Sequence, residues 1–437
     1  MPVQQSDMTG DELPRIVADV PGPRSRALAA RLAAVESRNI TAGGETPPIF
    51  WVEARGANVR DADGNVYVDL TAAFSVAAAG HANPRVAAAI AAQAGVLAHG
   101  MGDVYPPETK VRLLERLAAL APGRLGVSIL AGSGAEAVEA ALKTAHLRTG
   151  RPGILAFTGA YHGLTHGALA TTWRPEFREP FAARLYAGVR FARYPDPYRW
   201  PAGGDPLTEA LAEVERLLGE AERGAHPIGA IIVEPVQGRG GIVVPPAGFL
   251  AGLRRLCDGR ERVLIFDEVY TGFGRTGRWF ACDHEGVVPD LMTVGKALTG
   301  SVPLSAAIGT PEVMEAWPPS TGEAIHTSTF LGNPIACAAA LAQLDEIEER
   351  GLVECAARLG AYLRERLEQW RALPHVGDVR GVGLMYGVEL VDDPVSRRPA
   401  TALALHVADA ALRRGIIVLG EGPALNVLAF TPPLTIS

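Results

Sequence analysis

The sequence predicts an α/β protein, with a large domain around a mostly parallel central sheet and a smaller α+β domain assembled from both chain ends. Three patterns carry this expectation. Six continuous apolar runs alternate with helical patterns: Val127–Ala131, Gly153–Phe157, Ile228–Val233, Val263–Phe266, Leu291–Val294 and Leu304–Ile308. Unbroken runs suit strands buried on both faces, as in a parallel sheet covered by helices. Residues 49–70 instead alternate apolar and polar around Asp61-Ala62-Asp63-Gly64, which is the pattern of a β-hairpin. From about residue 335 a long helical pattern is followed by strand-like Gly383–Val391, a helix near 401–414, and strands at Gly415–Leu419 and Asn426–Phe430.

In chain order, residues 1–24 read as a flexible tail, and a helix is expected from Arg24 to Ser37. Residues 25–75 and 335–437 are assigned to the two parts of the small domain, and 76–334 to the large one. A chain of 437 residues with 48% hydrophobic and 20% charged residues can bury a sizeable core. Forty-one basic against forty-eight acidic residues give a net charge of −7. No basic patch suggests nucleic acid as a partner. Cys257, Cys282, Cys337 and Cys355 form no CxxC pair, so a reducing compartment is expected. No apolar stretch matches a signal peptide or a membrane span. These features predict a cytoplasmic protein without membrane partners. Lysine occurs only as Lys110, Lys143 and Lys296, so lysine-based chemistry has three candidates.

Ligands of open α/β sheets sit beyond the carboxyl ends of the strands. After Val127–Ala131 comes Gly132-Ser133-Gly134-Ala135-Glu136, opening a helix. Glycines at a helix N-terminus let backbone N–H groups approach a phosphate, although Ser133 and Glu136 also have the spacing of a plain capping box. A dinucleotide fingerprint would need an acid about twenty residues further on, and none occurs between Glu139 and Glu176. The run Val263–Phe266 ends in Asp267-Glu268, and Leu291–Val294 ends in Gly295-Lys296. A lysine at a strand tip can act as a Schiff-base former, or Asp267 and Lys296 can simply pair. A phosphate cradle, a strand-tip carboxylate and a strand-tip lysine together make the set that holds pyridoxal 5′-phosphate. His162 and His166 stand four apart without an acidic neighbour, so no metal site is expected.

With these residues in place, the chain resembles the class III, fold-type I pyridoxal-phosphate aminotransferases over about residues 25–437. The strongest stretch runs from Val263 to Gly309 and includes VLIFDEVYTGFGRTGRWF, PDLMTVGKALTG and PLSAAIG. The resemblance implies that Lys296 forms the Schiff base and Asp267 pairs with the pyridinium nitrogen. It implies that Ser133, Gly134 and Ala135 hold the phosphate, Tyr161 of Tyr161-His162-Gly163 stacks on the ring, and Val269 packs beneath it. His162 and Glu234 complete the expected cofactor contacts. In His326–Pro334, Thr329 is implied to reach the phosphate of the other subunit, so a homodimer with shared sites is expected. The resemblance also implies a further helix beyond Ser437.

Departures from the family pattern bear on the substrate. The arginine that often precedes a Phe-x-Pro-Pro-Leu segment is Ala429 here, its usual glutamate partner is Arg239, and the arginine after Tyr-His-Gly is Leu164. Arg239 is therefore expected to take over carboxylate recognition, with Trp51 and Phe74 as apolar pocket walls. The expected activity is transfer of an amino group from an amino acid or amine, 4-aminobutyrate-like or another omega-amine, to a 2-oxo acid. The ending Asn426–Ile436 and Tyr194–Tyr198 also resemble an amino-acid racemase and epimerase subgroup, which is the alternative.

Overall fold

Alternation near the N-terminus produces three short antiparallel strands, β1 (Trp51–Arg55), β2 (Asn58–Asp61) and β3 (Val66–Asp69). The computed structural model describes residues 7–41, 46–259 and 261–437. The expected hairpin is β2–β3. Its turn is organised by Asp61, whose Oδ1 accepts from the backbone N–H of Asp63 and Asn65 and whose Oδ2 accepts from the Tyr67 hydroxyl. Such carboxylate-to-backbone bonds are what favour Asp in turns. The preceding segment departs from the expected loose tail. Arg15 and Val66 bond to each other's backbone, Asn65 accepts from the N–H of Val17 and Ala18, and Met8 is buried. Buried Asn58 and Asn65 offer partners that this backbone would otherwise find in water. Residues 1–6 lie outside the described residues. The first helix spans Pro23–Ala33, shorter than expected, and its free N–H groups at Arg24 and Ser25 are met by the Asp63 carboxylate.

The central sheet contains β4 (Val127–Ala131), β5 (Gly153–Phe157), β6 (Val189–Ala192), β7 (Ile228–Val233), β8 (Val263–Asp267), β9 (Leu291–Val294) and β10 (Ser305–Gly309). Their order is β4-β10-β9-β8-β7-β5-β6. Only β10 runs opposite to the other six strands. The continuous apolar runs have the expected cause. Leu264 and Phe266 join one core cluster while Val263 and Ile265 join the cluster on the opposite face. Each fully buried side chain of this size contributes about 1.5–3 kcal/mol of hydrophobic stabilisation. The short edge strand β6 was not anticipated, because Arg190 interrupts its apolar pattern.

Past residue 334 the helix Pro334–Glu349 leads to β11 (Val376–Val382), β12 (Met385–Leu390), β13 (Ile416–Ile417), β14 (Leu419–Glu421) and β15 (Val427–Phe430). Strands β11, β12, β15 and β14 form one sheet, while β13 joins the N-terminal sheet parallel to β3. The expected strand Gly415–Leu419 is thus two strands belonging to two sheets. β11 escaped detection because glycine and charge break its run. Among the described residues no helix is long and apolar enough to cross a membrane.

Candidate active site

The six parallel strands of the central sheet end at one edge, and a cavity of about 320 Å³ opens there. Ser133, Gly134, Ala135, Tyr161, His162, Glu234, Arg239, Asp267, Val269 and Lys296 all line it. The topology therefore brings together ten of the thirteen residues singled out from the sequence.

Asp267 is the last residue of β8. Its Oδ1 accepts from the Thr293 hydroxyl at 2.9 Å and the Val269 N–H at 3.1 Å, and its Oδ2 lies 2.7 Å from His162 Nδ1. The other ring nitrogen of His162, Nε2, is buried without a hydrogen-bond partner. Lys296 follows β9 after Gly295 and holds a positive φ of 44°, a conformation that costs a non-glycine residue energy and clusters at functional positions. Its Nζ stands 4.2 Å from the centre of the Tyr270 ring. Burial pushes the Lys296 amine down to about 8, against the pull of Asp267 and Glu234, so near neutral pH it gives up a proton far more readily than a surface lysine.

Ser133 caps the helix Gly134–Thr149, accepting from the Glu136 N–H at 3.3 Å, while Glu136 reaches back to the Gly132 N–H at 2.7 Å. Space is tight around this helix start. A Cβ on Gly134 would stand 3.0 Å from Val269 Cγ1, and one on Gly163, where φ is +122°, would stand 2.5 Å from Ala135 Cβ. Glu234 is fully buried and bonds to the N–H of Tyr161 at 2.9 Å and of Gly238 at 3.0 Å. It thereby ties the Tyr161 segment to the loop that carries Arg239. Burial pushes its carboxyl up to about 7.

Three expected residues lie elsewhere. Thr329 is exposed and lies outside the cavity of its own chain. Trp51 does not line the cavity. Its ring meets His81 edge-on at 5.8 Å. Phe74 sits on the left-handed turn Ala72–Ser75, which packs beside Lys296–Leu298, but it is about half exposed and not part of the cavity wall. The turn is held by Asp69, which accepts from the Ala73 N–H, and by Arg275, which donates to the Ser75 hydroxyl.

Beside Arg239 stand two charged residues that the sequence did not reveal. Glu421, the last residue of β14, places Oε2 at 3.5 Å from Arg239 Nε and 3.6 Å from Arg174 Nη2. Arg174 is itself buried, and its Nη2 donates to the carbonyls of Arg239 at 2.6 Å and Gly422 at 2.9 Å. Arg239 lies over the Tyr161 ring at 5.0 Å. A usable signal did exist for Glu421, because it is the only acid after Asp409. Ala429 is enclosed in an apolar cluster with Tyr270 and Met385, so the acid opposite Arg239 comes from a neighbouring strand.

The donor set suits pyridoxal 5′-phosphate. A helix N-terminus that opens into the cavity can take the phosphate, Asp267 can face a protonated ring nitrogen, and a buried amine can meet an aldehyde. Comparison with known proteins agrees with this fit. The family model "Aminotransferase class-III" matches residues 40–437. The chain is 39% identical to a 4-aminobutyrate aminotransferase of Mycobacterium leprae, over 98% of this chain and 96% of that one. It is 41% identical to an acetylornithine aminotransferase of Corynebacterium efficiens, over 90% and 89%. Among solved structures, the omega transaminase of Pseudomonas jessenii in complex with PMP superposes with a TM-score of 0.87 at 29% identity, over 94% of each chain.

Proposed function

The chain belongs to the class-III aminotransferases, enzymes that use pyridoxal 5′-phosphate to move an amino group to a 2-oxo acid, and from that premise we propose which residues do the work and which donors they accept. Pyridoxal 5′-phosphate, when bound, supplies an aldehyde that takes up the amino group and a ring that draws in electrons. Lys296 Nζ, whose hold on its proton burial weakens, would take the proton from the donor carbon and deliver it to the cofactor's aldehyde carbon. Asp267, fixed by Thr293, Val269 and His162, would keep a proton on the ring nitrogen. The N–H groups of the Ser133–Ala135 turn would bind the phosphate, Tyr161 and Val269 would pack against the ring, and Glu234 holds the Tyr161 segment in place.

The observation that carries this assignment is the joint placement of Lys296 and Asp267 at adjacent strand ends in one cavity with a helix N-terminus. The proposed donor is an omega-amino compound such as 4-aminobutyrate, with Arg239 receiving its carboxylate. Relatives named as 4-aminobutyrate and acetylornithine aminotransferases support the donor class and give the racemase alternative no support.

The same reading includes a homodimer in which Thr329 of the partner subunit completes the phosphate site. An exposed apolar patch supports it, with Met101, Tyr105, Ile325 and Phe330 all more than half exposed and Phe330 packed edge-on against His99, since patches of this kind mark association surfaces. The division into a cofactor-holding body, residues 76–334, and a smaller domain, residues 25–75 and 335–437, belongs to the proposal too, as does a cytoplasmic location.

The test is a half-reaction. Holoenzyme is mixed with 4-aminobutyrate, other omega-amines and common amino acids without any oxo acid, and the absorbance of the cofactor is followed. Stoichiometric conversion to the aminated form by omega-amines is expected. An unchanged cofactor together with loss of substrate chirality would overturn the assignment.

A further inference from the structure

We infer that Arg174, Arg239 and Glu421 form a substrate-carboxylate subsite with one surplus positive charge, in which Glu421 is the specificity-determining residue that holds the subsite to a single carboxylate. The inference rests on the transaminase reading for its substrates and adds a charge rule to it.

The cluster contains two guanidiniums and one carboxylate. The nearest further acid to Arg174, Glu176, is exposed at the surface. Glu421 Oε2 stands 3.5 Å and 3.6 Å from the two arginines, within ion-pair range but outside hydrogen-bond contact. Glu421 Oε2, Arg239 Nε and Arg174 Nε are all buried without a hydrogen-bond partner. Three orphaned polar atoms in one cluster are costly to maintain, and the cluster meets the cavity through Arg239, which lines it.

The three residues divide the task. Arg174, with both carbonyl bonds made and only 8% of its side chain exposed, is a positioning residue that holds the Arg239 loop against the end of β14. Arg239 keeps 28% of its side chain exposed and lines the same cavity as Lys296, so it presents the guanidinium edge for a two-point bond to a carboxylate. Glu421 cancels one of the two positive charges. With it in place, one entering carboxylate neutralises the wall, and a second anion finds no surplus charge to offset its desolvation.

The test measures binding of unreactive four-carbon ligands to the holoenzyme by calorimetry: butyrate, succinate and the neutral butyramide. Arg239→Gln is expected to weaken butyrate at least tenfold. Glu421→Gln is expected to tighten butyrate about fivefold and succinate about twentyfold, because the wall then carries two surplus charges. Glu421→Asp should return both ligands to their wild-type values, and butyramide should stay within twofold throughout. Butyrate affinity unchanged by Arg239→Gln, or unchanged or weakened by Glu421→Gln, overturns the inference, as does a butyramide shift equal to that of butyrate. The partly exposed Arg239 keeps the test decisive if Glu421→Gln does not fold. Wild-type protein that binds in this charge-dependent way but transfers no amino group removes the transaminase reading alone. Amino transfer with charge-blind binding removes the subsite alone.

Discussion

The two ends of the active-site cavity are built by different means. At the cofactor end every functional side chain stands at, or a few residues past, the carboxyl end of a parallel strand: Asp267 closes β8, Glu234 follows β7, Lys296 follows β9 by two positions and Ser133 follows β4 by two. Sheet pairing alone brings them into register. The proposed carboxylate subsite takes Arg174 from a loop after a short helix, Arg239 from the loop after β7, and Glu421 from a strand of another sheet, with Arg174 bonding to a carbonyl 248 residues away. The cofactor end is thus fixed by one sheet, whereas the subsite depends on how two parts of the chain meet. Chemistry held by the sheet should respond steeply to single substitutions, and the subsite should mainly tune affinity.

The steepest test of that contrast is Lys296→Ala. It should lower the half-reaction rate on the order of 10⁴-fold or more, since proton transfer at the donor carbon loses its only base. Stopped-flow absorbance of the cofactor reads this directly, and a residual rate within tenfold of wild type would break the assignment of the cofactor end. Asp267→Asn should follow, with a loss on the order of 10²–10³-fold, because the amide no longer favours a charged ring nitrogen. The cofactor should still bind, as the helix N-terminus is untouched. Equal loss of binding and rate would place Asp267 in structural support instead.

The contrast also explains what could be read in advance. Lys296 and Asp267 were legible because each follows an unbroken apolar run within the same short stretch of chain, so local sequence reported their place on the sheet. Arg239 was flagged only because it replaces a residue expected to be acidic. Its partner was not found, because the acid lies on β14, in a section whose strands were merged into Gly415–Leu419. A single residue, Val418, separates the two-residue strand that joins one sheet from the strand that joins the other. Periodicity carries no information about such a change of partner, since it records burial and not which neighbour does the burying. Trp51 and Phe74 lie outside the cavity lining of their own chain. The left-handed turn that carries Phe74 is held by buried Asp69 and Arg275, and Arg275 comes from the middle of the chain.

A smaller effect concerns the cost of keeping an amine at the cofactor end. In cofactor-free protein Lys296 loses its proton near pH 8, whereas the unfolded chain keeps it to about 10.5. The unfolded state therefore binds more protons in that window, and stability rises with pH between about 8 and 10.5. Below pH 8 the full penalty applies, at most about 3 kcal/mol. Cofactor-free Lys296→Met should accordingly melt a few °C higher than cofactor-free wild type at pH 7, and the gap should close as pH rises toward 10.5. A gap independent of pH would mean that packing, and not charge burial, causes it.

The smallest expected change separates the two roles open to the Ser133–Ala135 turn. If it only caps a helix, Gly134→Ala is neutral or stabilising, because alanine favours a helix by about 1 kcal/mol over glycine. If it is a phosphate cradle, the same methyl group matters in another way. Its Cβ would stand 3.0 Å from Val269 Cγ1, so either Val269 or the helix start must move by a few tenths of an ångström, and both line the cofactor cavity. The expected outcome is a split: unchanged or slightly higher melting temperature without cofactor, and cofactor affinity weakened roughly tenfold, which corresponds to about 1.4 kcal/mol. Fluorescence titration of the cofactor-free variant measures the second quantity and a thermal melt the first. Loss of both together would show that the turn supports the fold before it supports the ligand, and the sharp division between the two ends of the cavity would then be too simple.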